Sequence, residues 1–468
     1  MNKKLLSVCI PTYEMHGVGD IFLKQSFDIL TTQTFKDFDV VISDYSKDNK
    51  VKDVCEKFKN QLDIKYFKNE NPVVGMSLNI NNSIRHATGK IIKLLFQDDF
   101  LKDEVSLEKT VKSFNLEKDT WLISACEHTK NGKKFFRPHL ARYNKKIHLG
   151  KNSIGSPSVL TIKNENLLTF DTNLKWFVDC DYYKRCYDAF GEPKILDEIT
   201  VVIRTGEHQV TNTEINEGVK KSEFEYVAKK FGEKTTKDIT LVSVSSFDPK
   251  GALNALELSM RGMEYYDVVL ISHTKPPNLN PKITFKQCKP HELQSKDPKN
   301  KNDYSKFIAY NLCDYIESEY ALIVHNDAYV LRPEKWDYEF LDYDYIGAPW
   351  KKNVHFTDEG MNVRVGNGGF SLRSKKILNA LNVLKLPFTD NGTGFFNEDG
   401  IICVYYRKKL EEYGIKFAPV PLASKFSHEA DCDDSDPEPF GFHDNKKMIP
   451  RKRSLRSFLK KIYRTIKK

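Results

Sequence analysis

The sequence predicts an α/β protein in which one architectural idea is used twice. Three observations carry this expectation. Over the first 200 residues short apolar runs alternate with segments of helical period, a pattern that builds a largely parallel sheet with helices on its faces. Two of those runs end in aspartate, at Asp44 and at the pair Asp98–Asp99, and open sheets of this kind bind ligands at the carboxyl ends of their strands. After a polar stretch near residues 212–238 the alternation restarts, and EYALIVHNDAYVL delivers a third aspartate, Asp327, from an apolar run.

The elements follow in order. LLSVCIPTY (5–13), DFDVVISDYS, DIKYFKN and KIIKLLFQDD read as strands, separated by helices over IFLKQSFDILTTQ, VKDVCEKFKNQL and SLNINNSIRHAT. In the second half ITLVSVSS, YDVVLISHT and EYALIVHNDAYVL are strands, with helices over ALNALELSMRGM and YSKFIAYNLCDYIES between them. GNGG (366–369) precedes SLRSKKIL, expected as a helix whose N-terminus favours phosphate. At 468 residues the chain exceeds the ~250–300 residues at which single cores stop growing. The expected domains are 1–212 and 239–445, with a linker at 213–238 and a tail at 446–468.

Composition narrows the class. With 40% hydrophobic and 12% aromatic residues the chain can build ordinary cores. Its nine cysteines are scattered without a CxxC pair, which argues against a disulfide framework or zinc ribbon and for a reducing compartment. MNKKLLSVCIPTYE is too short in apolar residues for a signal peptide, and no later run approaches the ~18 needed to cross a bilayer. A cytoplasmic protein is expected. The net charge of +9 belongs to the tail, because residues 446–468 hold eleven Lys and Arg and no acid. The rest is nearly neutral, which argues against nucleic acid as a partner. In the tail Leu455, Phe458, Leu459, Ile462 and Ile466 recur on one helical face, opposite Lys and Arg. Such a basic amphipathic helix is expected to lie on an anionic membrane surface, placing the protein peripherally on the inner face of the cytoplasmic membrane.

SVCIPTYE, VVISDYSKDN, the Gly75–Asn82 segment, ATGKIIKLLFQDDF and WFVDCDYYKR, in that order, resemble a family 2 glycosyltransferase of GT-A fold over residues 5–212. The resemblance implies a nucleotide-sugar donor, with Thr12 and Asp44 at the base and ribose. Asp98 then matches the last aspartate of the family's DxD motif, which holds Mn²⁺ or Mg²⁺ on the donor diphosphate, and Asp99 lies beside it on the donor. The first aspartate of that motif falls on Phe96. Asp179 takes the place of the catalytic base that deprotonates the acceptor hydroxyl in an inverting transfer, and Asp181 competes with it. The two diverge if the segment begins a helix. Arg204 and His208 fall where relatives contact the diphosphate or the metal.

Residues 240–445 resemble an uncharacterised glycosyltransferase-like family of surface-polysaccharide loci, through KWDYEFLDYDYIGAPW, VGNGGFSLRSKKIL and FNEDGIICVYYRKKLEEYGIKFAPVPLASKFSHE. Gly366, Gly368 and Gly369 are candidate donor contacts, and Glu398 and Asp399 resemble an acidic pair that supplies a base in some inverting galactosyltransferases. Asp327 and His443, with His428 as a further possibility, suit a borderline cation. The acidic run DCDDSDPEP (431–439) lacks the glycine and spacing of a calcium loop. The expected whole is two tandem GT-A-like domains with mainly parallel sheets, followed by the basic helix. Its expected activity is an inverting transferase, bifunctional, extending a capsule or lipopolysaccharide glycan on a free or lipid-linked acceptor. The alternative keeps one active domain and makes the second half a glycan-binding module. A nucleotidylyltransferase is disfavoured, because PTYEMHG is no Gly-rich triphosphate loop.

Overall fold

Nine strands form the sheet of the first unit: β1 (Leu6–Thr12), β2 (Phe38–Asp44), β3 (Ile64–Lys68), β4 (Ile91–Leu94), β5 (Phe100–Leu101), β6 (Trp121–Thr129), β7 (Phe135–His139), β8 (Leu160–Lys163) and β9 (Lys194–Arg204). In this computed structural model the described residues are 3–70, 75–207, 209, 215–246, 249–294, 302–351, 363–388, 397–429 and 434–444. The chain divides into two units, Met1–Glu233 and Lys234–Lys468.

The first sheet runs β3-β2-β1-β4-β8-β6-β9-β5, with β7 added on β6. β3, β2, β1 and β4 are mutually parallel, and β8 enters antiparallel to β4. The strands LSVCIPT and FDVVISD are buried almost throughout, as befits a sheet covered on both faces. Helix α1 (Gly19–Thr32) buries Leu23, Phe27 and Leu30, and α2 (Lys50–Phe58) buries Val51, Val54, Cys55 and Phe58, one face each. α3 (Met76–Arg85) packs Ile80 and Ile84 into the same core. The β1–β2 register sets Thr12 opposite Asp44, so both strands present their ends at one edge.

Two later helices position the site. α4 (Ser106–Ser113) is followed by α5 (Val178–Phe190), which carries Asp179 and Asp181 in its first turn. α6 (Glu217–Lys230) lies within the stretch expected as a linker, yet it packs onto the first unit through Val227. The buried Glu223 carboxylate accepts the backbone N–H groups of Lys175, Trp176 and Phe177 at 2.7, 2.8 and 3.0 Å. Those amides sit just before α5, where a helix leaves donors unsatisfied and favours negative charge.

The second unit repeats the arrangement. β10 (Ile239–Val244), β11 (Asp267–Ser272), β12 (Thr284–Gln287) and β13 (Tyr320–Val324) are parallel in the order β12-β11-β10-β13. β14 (Ala328–Val330) leaves this sheet, while β15 (Tyr345–Ile346) and β16 (Phe370–Ser374) complete it, β16 antiparallel to β13. β17 (Ser427–His428) and β18 (Gly441–His443) join β14 in a small third sheet.

One expectation is corrected here. GNGG opens a strand and not a helix, because FSLRS is buried at every position and pairs with β13. The helix begins only at Lys375, capped by Ser374 Oγ accepting the Ile377 N–H at 3.3 Å. The phosphate argument from a helix N-terminus at GNGG falls with it. Among the described residues no helix is long and apolar enough to cross a membrane. The tail 446–468 lies outside them.

Candidate functional site

A cavity of about 400 Å³ opens at the carboxyl edge of the first sheet, lined among others by Tyr13, Tyr45, Phe96, Asp98, Asn152 and Asp179. That size suits a small-molecule ligand. Asp98 and Asp179, distant in sequence, both reach it. The helical start of α5 separates the two candidate bases. Asp179 is half-buried on the cavity wall, where the side-chain amide of Asn152 donates to it at 2.7 Å. Burial pushes its carboxyl up to about 6, against hydrogen bonds that favour the charged form. Asp181 points the other way, fully buried and engaged by Arg185 at 2.7 Å and Lys230 at 2.6 Å.

The adjacent aspartates also part company. Both line the cavity, but Asp98 is half-buried there while Asp99 is 2% exposed and held by the wall behind it. Its carboxylate accepts Ser158 Oγ at 2.6 Å, Ser156 Oγ at 3.1 Å and the Arg204 N–H at 3.0 Å. Burial first, and the charge of Asp98 second, raise Asp99 to about 8. Both causes favour its neutral form, which eases the placing of two aspartates side by side. A fully buried lysine, Lys93, donates from the fourth strand to the Ser158 carbonyl, and burial lowers it to about 7.

The three other donor contacts expected in this unit lie outside the cavity lining. Asp44 is fully buried and accepts Ser46 N–H, Tyr66 Oη and Lys68 Nζ at 2.9, 2.7 and 3.3 Å. Thr12 Oγ1 is spent on the Ser43 carbonyl at 3.2 Å. Arg204 is 4% exposed, donating through Nε to the Asp98 carbonyl at 3.1 Å and packing its guanidinium over Phe22. None of these three lines the cavity. The residues one step downstream do: Tyr13 and Tyr45 stack at 5.4 Å with their planes 6° apart. Sequence reasoning missed both tyrosines and Asn152, although each tyrosine directly follows a strand-end residue it had singled out. His208 lies outside the described residues.

In the second unit the residues after β13 form another cluster. His325, Asp327 and His443 hold ligand atoms all within 4.8 Å of one another. The β14–β18 register places His443 opposite Ala328, next to Asp327. His325 was missed, although its position two residues before Asp327 was a readable signal. His428, on β17 opposite Phe442, is not in the cluster. Glu398 and Asp399 have unequal surroundings. Glu398 is 4% exposed and paired with the fully buried Arg373 at 2.9 Å. Asp399 accepts the Gly368 N–H at 3.1 Å, and burial raises it to about 6. The glycines serve close approach: a Cβ on Gly368 would fall 1.9 Å from Glu398, one on Gly369 2.2 Å from His443 Nε2, and one on Gly366 against the Trp350 ring. Positive φ in that loop falls on Asn367. Of the acidic run, Asp434 pairs with Arg364 at 2.6 Å, and 431–433 lie outside the described residues.

Comparison with known proteins agrees with the division of the chain. Residues 7–171 match Glycosyl transferase family 2, and residues 287–443 match a family described as protein of unknown function (DUF5672). A Campylobacter jejuni GalNAc(5)-diNAcBac-PP-undecaprenol beta-1,3-glucosyltransferase is 32% identical over 97 residues, 20% of this chain and 30% of that protein. An uncharacterised glycosyltransferase of Methanocaldococcus jannaschii is 28% identical over 214 residues, 44% of this chain and 72% of that protein. Among solved structures, Staphylococcus aureus TarS 1–349 aligns at 19% identity and TM-score 0.36, over 48% of this chain and 72% of that one.

Proposed function

We propose, from the premise that the N-terminal half is a family 2 glycosyltransferase domain, that the chain moves a sugar from a nucleotide-sugar donor to a glycan hydroxyl with inversion at the anomeric carbon. The observation that carries this reading is the opening of Asp98 and Asp179 onto one cavity. The Tyr13–Tyr45 pair offers a flat aromatic face for a nucleobase, with the diphosphate toward Asp98. Asp179 accepts the acceptor hydroxyl's proton as that oxygen bonds to the anomeric carbon. The bond from that carbon to the diphosphate breaks, and the nucleoside diphosphate departs. Asn152 holds the carboxylate in place through its 2.7 Å hydrogen bond.

The chemistry of the wall fits Mg²⁺ or Mn²⁺ bound by Asp98 and by the donor's own phosphate oxygens, since such ions accept one or two carboxylates plus substrate phosphates. When bound, the ion offsets charge on the leaving diphosphate. The Campylobacter relative, a glucosyltransferase named for an undecaprenol-linked glycan, supports a lipid-linked acceptor, and the glycan so extended would be a capsule or lipopolysaccharide. The basic tail would then hold the enzyme at the inner face of the membrane that carries this acceptor. Within the second unit, the ion pair that holds Glu398 favours the reading in which that carboxylate shapes a glycan-binding module, while Asp399 keeps a second transferase open.

The test is nucleotide release from UDP-, GDP- and CMP-sugars with Mg²⁺ or Mn²⁺ and a lipid-linked acceptor, with the product's anomeric configuration read by NMR. Wild type should release nucleoside diphosphate from a UDP- or GDP-sugar, with the CMP-sugars inert, and Asp179→Asn should not. Full activity in Asp179→Asn, or a product that retains the donor's anomeric configuration, would overturn the reading.

A further inference from the structure

Four features of the second unit converge on one point after β13, and none depends on how the first unit works. His325 and Asp327 come from the strand's end, and His443 is brought to them by the pairing of β14 with β18. Each imidazole is oriented by a residue outside the trio: Glu429 lies 3.3 Å from Nδ1 of His443, and the Tyr304 hydroxyl 2.7 Å from Nε2 of His325. Outer partners of this kind hold the rings of metal-binding histidines. Gly369 keeps the space open, because any Cβ there would collide with His443 Nε2, and its carbonyl accepts the His325 N–H at 2.9 Å. Asp327 is exposed, leaving one side of the trio accessible.

We propose that His325, Asp327 and His443 bind a divalent first-row transition-metal ion that belongs to the second unit. Ligand atoms around such an ion, each about 2.0–2.2 Å from it, lie roughly 3–4 Å apart, so a slight inward movement from the present spacing completes the site. An ion pair between His443 and Asp327, which are 3.5 Å apart, would not require a second imidazole set edge-on at 5.3 Å. Two imidazoles and one carboxylate suit Mn²⁺, Fe²⁺, Co²⁺ or Zn²⁺, whereas Mg²⁺ and Ca²⁺ take oxygen. The remaining positions would accept water or an anionic oxygen of a ligand, as in metal centres with three protein donors.

The probe is Co²⁺ alone, titrated into metal-stripped full-length protein in excess Mg²⁺ and followed by its visible absorption. Wild type and Asp98→Asn should each bind one Co²⁺ per chain with the same spectrum. His443→Ala and His325→Ala should lose that band. Glu429→Gln, which removes a charge without removing a ligand, should weaken binding by roughly 10–100-fold with unchanged circular dichroism. Excess Mg²⁺ displacing the Co²⁺, or a band that persists in both histidine variants, would overturn the proposal. Loss of the band in Asp98→Asn alone would overturn it too, by assigning the ion to the first unit.

Discussion

Both units place four parallel strands in the order third-second-first-fourth, with an antiparallel strand beyond the fourth. Both gather polar groups just after that fourth strand. The first unit has Asp98 at the surface and Asp99 beneath it, all oxygen; the second has His325 and Asp327, joined by His443 from a distant strand. The acidic residues differ again. In the first unit Asp179 faces a cavity and Asp181 is tied up by cations, while in the second Glu398 is tied up by Arg373 and Asp399 accepts the backbone N–H groups of Gly368 and Gly400. A shared strand order therefore fixes where a site can be, but the donor atoms supplied there decide its chemistry.

The largest expected effect separates the carboxylates by role. Asp179→Asn should lower kcat by ~10²–10⁴-fold with an unchanged melting curve; an equal loss from Asp181→Asn would merge the two roles. The pH profile sharpens this further. A base must be ionised, so if Asp179 serves as one, kcat/KM should fall about tenfold per pH unit below about 6 and level off above it. In the second unit Glu398→Ala should act on stability, costing about 3–5 kcal/mol in urea unfolding, because it strands the buried Arg373. Glu223→Ala should cost about 3 kcal/mol in the first unit by freeing three amides before α5. It should also lower activity by loosening the segment that carries Asp179. The smallest effect is expected for Asp181→Asn, about 1–3 kcal/mol of stability with kcat near wild type. Its cationic partners are partly exposed and regain water.

Much of this molecule was legible in order of residues alone. Alternating apolar and amphipathic runs predicted two mainly parallel α/β units, since strand and helix periods are local properties of a sequence. The aspartates at strand ends were visible for the same reason. The motif resemblance separated Asp179 and Asp98 from dozens of other acids. What required the tertiary structure were properties set by neighbours remote in the chain. Whether an aspartate faces a cavity or a lysine depends on α6, which packs Lys230 against Asp181 and Glu223 beneath the start of α5. Asp99 was expected beside Asp98 on the donor, but its partners, Ser156 and Ser158 almost sixty residues away, are set only by the fold. FSLRS read as part of a helix until β13 claimed its hydrogen bonds. His325 acquired a purpose only when a strand over a hundred residues later brought His443 beside it. Local sequence determines which elements form and which chemical groups they carry; burial, partners and pairing register, which set the charge and direction of each group, exist only once distant segments are packed together.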